Sequence, residues 1–151
     1  SADRLRQQLR YVATLNEGLF TLVSALGLDY LLIDTHPGLN EETLLSMGIA
    51  HAVAIIMRPD QQDYAGTSVT VHVARRLKVP RLLMVVNKAP ASLDPETVKQ
   101  RVEETYKCDV AAVIPHSDEF MALASQGVFS LIFPDDPVTR LFHELTRKLV
   151  M

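Results

Sequence analysis

Cysteine is almost absent from this chain, because Cys108 is the only one. An internal disulfide is therefore excluded, and so is a metal site built from several cysteines. A single free thiol fits a reducing compartment, and we expect a cytoplasmic protein. Long apolar runs are missing as well, since no stretch approaches the roughly 18–20 residues of a membrane-spanning helix. The charged start at 3–10 does not resemble a signal peptide, an inference that holds only if Ser1 lies near the natural start.

A strong net charge is the third thing that the chain lacks. The formal net charge is -3, with 48% hydrophobic and 22% charged residues, which is the composition of an ordinary globular protein. Nothing in this balance favours nonspecific binding to nucleic acid or to an anionic membrane.

Apolar runs alternate with amphipathic stretches along the 151 residues. The apolar runs predict buried strands at 30–34, 52–59, 81–88 and 109–115. The periodic stretches predict helices at 3–26 (with a break near Gly18), 40–50, 63–78, 94–106, 117–127 and 136–150. Because the strands are apolar throughout and alternate with helices, we expect an α/β fold, a mostly parallel sheet with helices on both faces. The length fits a single domain, 1–151.

Polar residues follow each predicted strand, and in such sheets ligands lie beyond the carboxyl ends of the strands. We therefore expect the segments 34–38, 58–63, 87–90 and 115–118 to converge on one edge.

The stretch "LLIDTHPG" (31–38) ends an apolar run on Asp34 and continues into a turn. A carboxylate in this position is suited to hold Mg²⁺ directly or through water. Gly38 would let a backbone N–H approach a phosphate oxygen closely. The alternative is structural: Asp34 caps the turn, and Pro37 and Gly38 only form it.

The stretch "NKAP" (87–90) is comparable to the guanine-reading N-K-x-D of GTPases, but Pro90 replaces the carboxylate. Selective guanine recognition is therefore not supported. The amide of Asn87 has donor and acceptor groups for an adenine edge. The alternative is an ordinary asparagine at a strand end.

Taken together, these segments resemble the C-terminal two-thirds of the MinD/ParA-type (deviant Walker) P-loop ATPases, from about residue 30 to residue 149. "LLIDTHPG" is similar to the Walker B segment, "LLMVVNK" to the strand that ends in the base-reading asparagine, and "VAAVIPHSDEF" to the start of the closing stretch. The resemblance implies a P-loop NTPase (Rossmann-like) fold that binds ATP or ADP with Mg²⁺. It further implies ATP hydrolysis coupled to dimerisation and to positioning, as in cell division or chromosome partitioning.

The resemblance also implies roles for matching positions. Asp34 would help to hold Mg²⁺ and the attacking water, and Gly38 would sense the terminal phosphate. Asn87 would read adenine, and Pro115 would pack near the base. One departure is His36, where the family commonly has proline.

The phosphate-binding pattern G-x-x-x-x-G-K-[ST] is absent from the chain, and no glycine precedes a lysine. We therefore expect a fragment of a longer ATPase that is inactive alone. The alternative is a naturally short, non-catalytic relative that acts as a protein-binding module. The expected partners are a second copy, joined through 30–34 or the N-terminal helix, and an activating protein; the sequence does not indicate a membrane or DNA surface.

Two smaller features concern helices. The apolar stripe of the last helix (Val138, Leu141, Phe142, Leu145, Leu149) predicts core packing rather than membrane binding. The basic residues Arg75, Arg76 and Lys78 are predicted to interact favourably with the dipole of their own helix end.

Overall fold

The computed structural model describes the backbone of residues 2–150 and the side chains of residues 14–150. Contacts divide the chain into two compact units, Ser1–Ala50 and His51–Met151. The first unit contains two helices, α1 (Ala2–Leu26) and α2 (Glu41–Ile49). The second alternates three strands with five helices, in the order β1 (Ala52–Met57), α3 (Gln61–Arg76), β2 (Arg81–Ala89), α4 (Pro95–Tyr106), β3 (Asp109–Pro115), α5 (Asp118–Leu123), α6 (Phe129–Ile132), α7 (Pro137–Val150). The prediction of a single domain stays a prediction.

Capping explains where the helices of the first unit begin and end. Helix α1 runs without the break that was predicted near Gly18. It ends at Gly27, whose φ of +60° is the left-handed conformation that glycine adopts without strain. Leu28 N–H then donates to the carbonyl oxygen of Val23 at 3.0 Å. Helix α2 begins after Asn40, whose side-chain oxygen accepts from Thr43 N–H at 2.8 Å.

The prediction of a strand at 30–34 is wrong, because the backbone there is irregular. Its apolar side chains are exposed rather than buried, and Leu32 is 88% accessible. A parallel strand exists only where its backbone pairs with a neighbour, and an apolar run in sequence does not supply that neighbour. Asp34 therefore follows a coil and not a strand.

The second unit contains a parallel three-stranded sheet in the order β1-β2-β3. All three strands agree with the predicted apolar runs, and β3 has the predicted limits. The parallel α/β fold with helices is confirmed. Because the strands are parallel, their carboxyl ends lie at one edge of the sheet.

Helices cover both faces of this sheet, as predicted. On one face, alternate residues such as Ile55, Met84 and Val86 pack with α3 and α4, where Val102 is fully buried. On the opposite face, residues such as Leu83 and Val85 pack with α6 and α7. This alternation follows from the two-residue period of strand side chains.

The last helix packs its apolar stripe into the core, so the prediction of core packing is confirmed. Val138 is buried, and Phe142, Leu145 and Leu149 pack against the same cluster. Among the residues that the structure describes, no helix is both long and apolar enough to span a membrane.

The helix predicted at 117–127 is shorter than expected. Helix α5 ends at Leu123, because Ala124 has φ +48° and ψ -124°, which no helix can continue. A separate short helix, α6, follows.

Arg75 interacts with a different helix end from the one predicted. Its Nη2 donates to the carbonyl oxygens of Tyr106 and, at 2.9 Å, Lys107, which lie at the C-terminus of α4. Arg75 therefore joins α3 to α4 and satisfies carbonyl groups that a helix end leaves free.

Candidate functional site

A β-bulge shapes the carboxyl end of β2. Val86 pairs with Val113, and the next pair is Ala89 with Pro115, so β2 has one more residue than β3 between the two pairs. Lys88 takes up the extra residue with φ +55°, a left-handed conformation that is uncommon for a lysine. Bulges of this kind change the direction in which side chains leave the strand, and they are frequent beside active sites.

Asn87 lies in this bulge and is half-buried. Its side-chain oxygen accepts from the backbone N–H of Lys88 at 2.9 Å. That bond fixes the direction of the amide and leaves its NH₂ group as a donor. An amide NH₂ held at a sheet edge can donate to a ring nitrogen of a purine base.

Pro115 lies beside Asn87 on the neighbouring strand. It pairs with Ala89, and the next residue, His116, donates its backbone N–H to the carbonyl oxygen of Ala89 at 2.9 Å. The structure thus brings two of the predicted base-contacting residues together at one edge, with the exposed Pro115 ring next to the Asn87 bulge.

Helix α5 begins directly after this edge. The hydroxyl of Ser117 accepts from Phe120 N–H at 3.1 Å, which is a standard N-cap interaction. The ring of His116 approaches a carboxylate oxygen of Asp118 at 3.2 Å. Both side chains are exposed, so this pair is a surface interaction.

At the end of β1, a charged cluster connects the strand to α3. Arg58 donates its backbone N–H to a carboxylate oxygen of Asp63 at 2.8 Å, and its Nε lies 3.2 Å from Asp60. Asp60 also caps α3 by accepting from Gln62 and Asp63 N–H groups. The hydrogen bond from the backbone N–H of Arg58 lowers the pKa of Asp63. The hydrogen bond from the Arg58 side chain to Asp63 raises the pKa of Arg58.

The spacing R-P-D-x-x-D of this cluster is visible in the sequence, but it did not by itself indicate any chemistry. In the structure the three charged groups bond one another, so the cluster fixes the turn between β1 and α3. The segments 58–63, 87–90 and 115–118 lie at the carboxyl ends of strands of the same sheet, as predicted. The fourth predicted segment, 34–38, follows no strand and belongs to the first unit.

Asp34 and Gly38 belong to the first unit and lie in the exposed coil between α1 and α2. Gly38 has φ +95°, so any side chain there would be strained, and a Cβ would meet no atom within 4 Å. Within the described residues, Asp34 has no hydrogen-bond or ion-pair partner, which leaves its carboxylate oxygens available.

A metal site formed by protein side chains alone is not present among the described residues, since no three His, Cys, Asp or Glu cluster suitably. Mg²⁺ usually retains waters and takes one or two carboxylates together with substrate phosphates. One available carboxylate, Asp34, therefore fits a nucleotide-bound Mg²⁺ and does not fit an independent metal site.

Comparisons with known proteins agree with this architecture. No protein-family model matches the chain. In sequence, the chain is similar to an uncharacterised ATP-binding protein of Methanocaldococcus jannaschii, with 21% identity over 123 residues that cover 81% of this chain and 46% of that protein. In structure, it is similar to the MinD cell division protein of Aquifex aeolicus, with a TM-score of 0.76 and 14% identity, covering 91% of this chain and 60% of that one.

The structural similarity shows the fold, which is α/β and similar to that of MinD. The chain spans about half the length of the curated relative that it matches.

Proposed function

We propose that this chain is part of a MinD/ParA-like ATPase that binds ATP with Mg²⁺ and couples hydrolysis to dimerisation and spatial positioning. The observation that supports this best is the sheet edge, where a bulge presents the Asn87 amide beside Pro115 in a fold similar to MinD. The similarity to a protein described as ATP-binding supports nucleotide binding in particular.

The proposed roles follow from the available groups. Asp34 would hold Mg²⁺ and orient the attacking water through its carboxylate, which has no partner within the described residues. Gly38 brings its backbone N–H to the terminal phosphate, since a side chain at φ +95° would be strained. Asn87 donates from its NH₂ group to adenine, and Pro115 packs against the base. Bound Mg²⁺ would neutralise part of the phosphate charge.

The phosphate-holding loop and lysine are the missing parts. The 151 residues contain no G-x-x-x-x-G-K-[ST], so these groups would come from a further segment of a longer protein. The chain alone then lacks the backbone cradle for the phosphates and should hydrolyse no ATP.

The test uses both the 151-residue chain and a longer protein that contains it. We expect no turnover from the chain alone. In the longer protein, Asp34→Asn should abolish hydrolysis and retain ATP binding, because it removes the charge but keeps the size. Robust ATP turnover by the 151-residue chain that Asp34→Ala abolishes would contradict the proposal.

Asn87 tests the base-reading role separately. Asn87→Ala removes one hydrogen bond, worth about 1 kcal/mol, and should weaken ATP binding by about fivefold. Asn40→Ala is the matched control, since Asn40 caps α2 and its replacement should lower stability without weakening ATP binding. Equal effects of both variants on nucleotide binding would remove Asn87 from the site.

We further propose a cytoplasmic protein that forms homo-oligomers and responds to an activating protein partner. The support for self-association is the exposed apolar segment 30–33, in which Leu32 is 88% accessible. Light scattering of the wild type and of Leu32→Ser tests it: association that is unchanged by Leu32→Ser would exclude this segment as the interface.

A further inference from the structure

A second exposed apolar surface lies in the second unit, in the segment 120–133 that follows the candidate nucleotide edge. Its most exposed members are Leu131, Val128 and Met121, which are 78%, 58% and 52% accessible. We call this surface the α5–α6 patch. These three residues belong to one short segment of the chain, and contiguous exposed apolar groups mark interaction sites more often than isolated ones do.

The α5–α6 patch rests on a packed aromatic base and is not a loose loop. Phe129 is buried, and its ring centroid lies 5.0 Å from those of both Phe120 and Phe133. Phe120 also contacts the ring of Phe142 on α7, at 5.8 Å between centroids. The exposed side chains are therefore carried by a base that belongs to the sheet core.

Acidic residues flank the α5–α6 patch on both sides. Asp118 and Glu119 precede it, Asp135 and Asp136 follow it, and the stretch 117–137 contains no Lys, Arg or His. This short stretch therefore has a formal charge of -4, although the whole chain has only -3. Three of these four side chains also have partners within the chain: Asp136 accepts from Val138 N–H at 2.7 Å, Asp118 lies 3.2 Å from the ring of His116, and Glu119 accepts from the Ser117 hydroxyl at 3.2 Å.

We propose that the α5–α6 patch binds an amphipathic helix of a partner protein whose apolar stripe is flanked by Lys or Arg. Apolar side chains on a firm base fit the stripe of such a helix, as in helix-in-groove recognition. The acidic flanks complement its basic flanks and steer its approach. The same acids oppose an anionic membrane surface, which carries like charge. This site is independent of the proposed nucleotide chemistry, since it uses none of Asp34, Gly38, Asn87 and Pro115.

The experiment uses two synthetic probes of about 18 residues, long enough for several helical turns. One is a Leu/Lys amphipathic peptide and the other is its Leu/Glu counterpart, and each has a single tryptophan in its apolar stripe. Because the chain contains no tryptophan, the fluorescence reports only on the probe. We expect the Leu/Lys probe to bind with a blue shift and the Leu/Glu probe not to bind.

Two variants and two matched controls locate the binding. Leu131→Ser should weaken binding of the Leu/Lys probe by about tenfold. Val69→Ser, which changes an exposed residue of α3, should leave the affinity unchanged. The pair Asp118→Asn and Asp135→Asn should weaken it by a similar factor at low salt. The pair Glu104→Gln and Glu144→Gln makes the same charge change on exposed parts of α4 and α7 and should leave binding unchanged.

Several outcomes would overturn the proposal. Binding of both probes with equal affinity would show that charge complementarity plays no part. Equal loss of affinity in the test pair and the control pair would show that the probe does not bind at the α5–α6 patch. Leu131-dependent binding to vesicles of anionic lipid would assign the surface to a membrane. Leu131-dependent self-association in light scattering would assign it to a second copy. If Leu131→Ser fails to fold by circular dichroism, the aspartate pair with its control still decides the question.

Discussion

Lys148 donates hydrogen bonds to carbonyl groups at the outer edge of β3, and its replacement should destabilise the sheet. Met84 pairs with Val110 and Val85 pairs with Ala112, so β3 contains a bulge that leaves Ala111 as the extra residue. The Nζ of Lys148, on α7, donates to the carbonyl oxygens of Val110 and Ala111 at 3.2 and 3.0 Å. The bulge thus frees two partly buried acceptors, and one ammonium group satisfies both.

The expected magnitude follows from those two acceptors. A buried polar group that loses its partner costs about 1–3 kcal/mol, and a bond to a charged donor is at the stronger end. Both bonds are only partly buried, so water can replace some of the loss. We therefore expect Lys148→Met, which keeps the length of the side chain, to lower the free energy of unfolding by about 1–2 kcal/mol. For a chain of this size that corresponds to a melting temperature lower by about 2–8 °C.

Thermal melts followed by circular dichroism measure this effect, with Arg147→Met as the control. Arg147 precedes Lys148 on α7, is exposed, and has no hydrogen bond or ion pair within the described residues. The control should change stability by less than about 0.5 kcal/mol. Equal changes for the two variants would show that the effect comes from net charge or helix propensity, and the role of Lys148 at the bulge would be refuted.

Three further predictions use other contacts of the second unit. Arg75→Met should cost about 1–2 kcal/mol in urea unfolding, because it frees carbonyls at the end of α4, and Arg76→Met should cost little. Lys107→Gly should stabilise by about 0.5 kcal/mol, since Lys107 has φ 51° and glycine adopts that conformation without strain; destabilisation in the same assay would count against this reasoning. The pKa of Asp63 lies below its ordinary value of 3.8 because the backbone N–H of Arg58 donates to its carboxylate, so the stabilisation from this bond is present above pH 3.8 and is lost as the pH falls further. Urea midpoints at pH 5 and pH 3 should therefore differ less in Asp63→Asn than in the wild type.

Local signals predicted most of the second unit correctly. The strands at 52–57, 81–89 and 109–115 are apolar runs bounded by charged or proline residues. Strands β2 and β3 are mostly buried, and β1 is only partly buried. The helix caps are local as well, because Asp94 and Ser117 each accept from the N–H three residues later. These features depend only on residues that are close together in the sequence.

Features that depend on distant partners were not predictable. The run at 30–34 has the composition of a strand, but pairing requires a neighbour that composition does not specify. The two bulges depend on register between strands, which the apolar pattern does not fix to one residue. The partners of Arg75 lie 31 and 32 residues further along the chain. For the candidate site, the positions of Asn87 and Pro115 at strand ends were predictable, and the bulge that turns Asn87 was not.

The two outer strands of the sheet differ in a way that bears on the proposed longer protein. Strand β3 has the features of a protected edge: a bulge, a lysine on its free carbonyls and a terminal proline. Strand β1, "AVAIIM", has no charge, no proline and no bulge, and within the described residues it pairs only with β2. Its Ile56 is 66% accessible although it is an apolar strand residue. Apolar strands without edge protection are typical of inner positions in parallel sheets, which are covered on both sides. We therefore expect β1 to be an inner strand of a wider sheet in the longer protein that we propose.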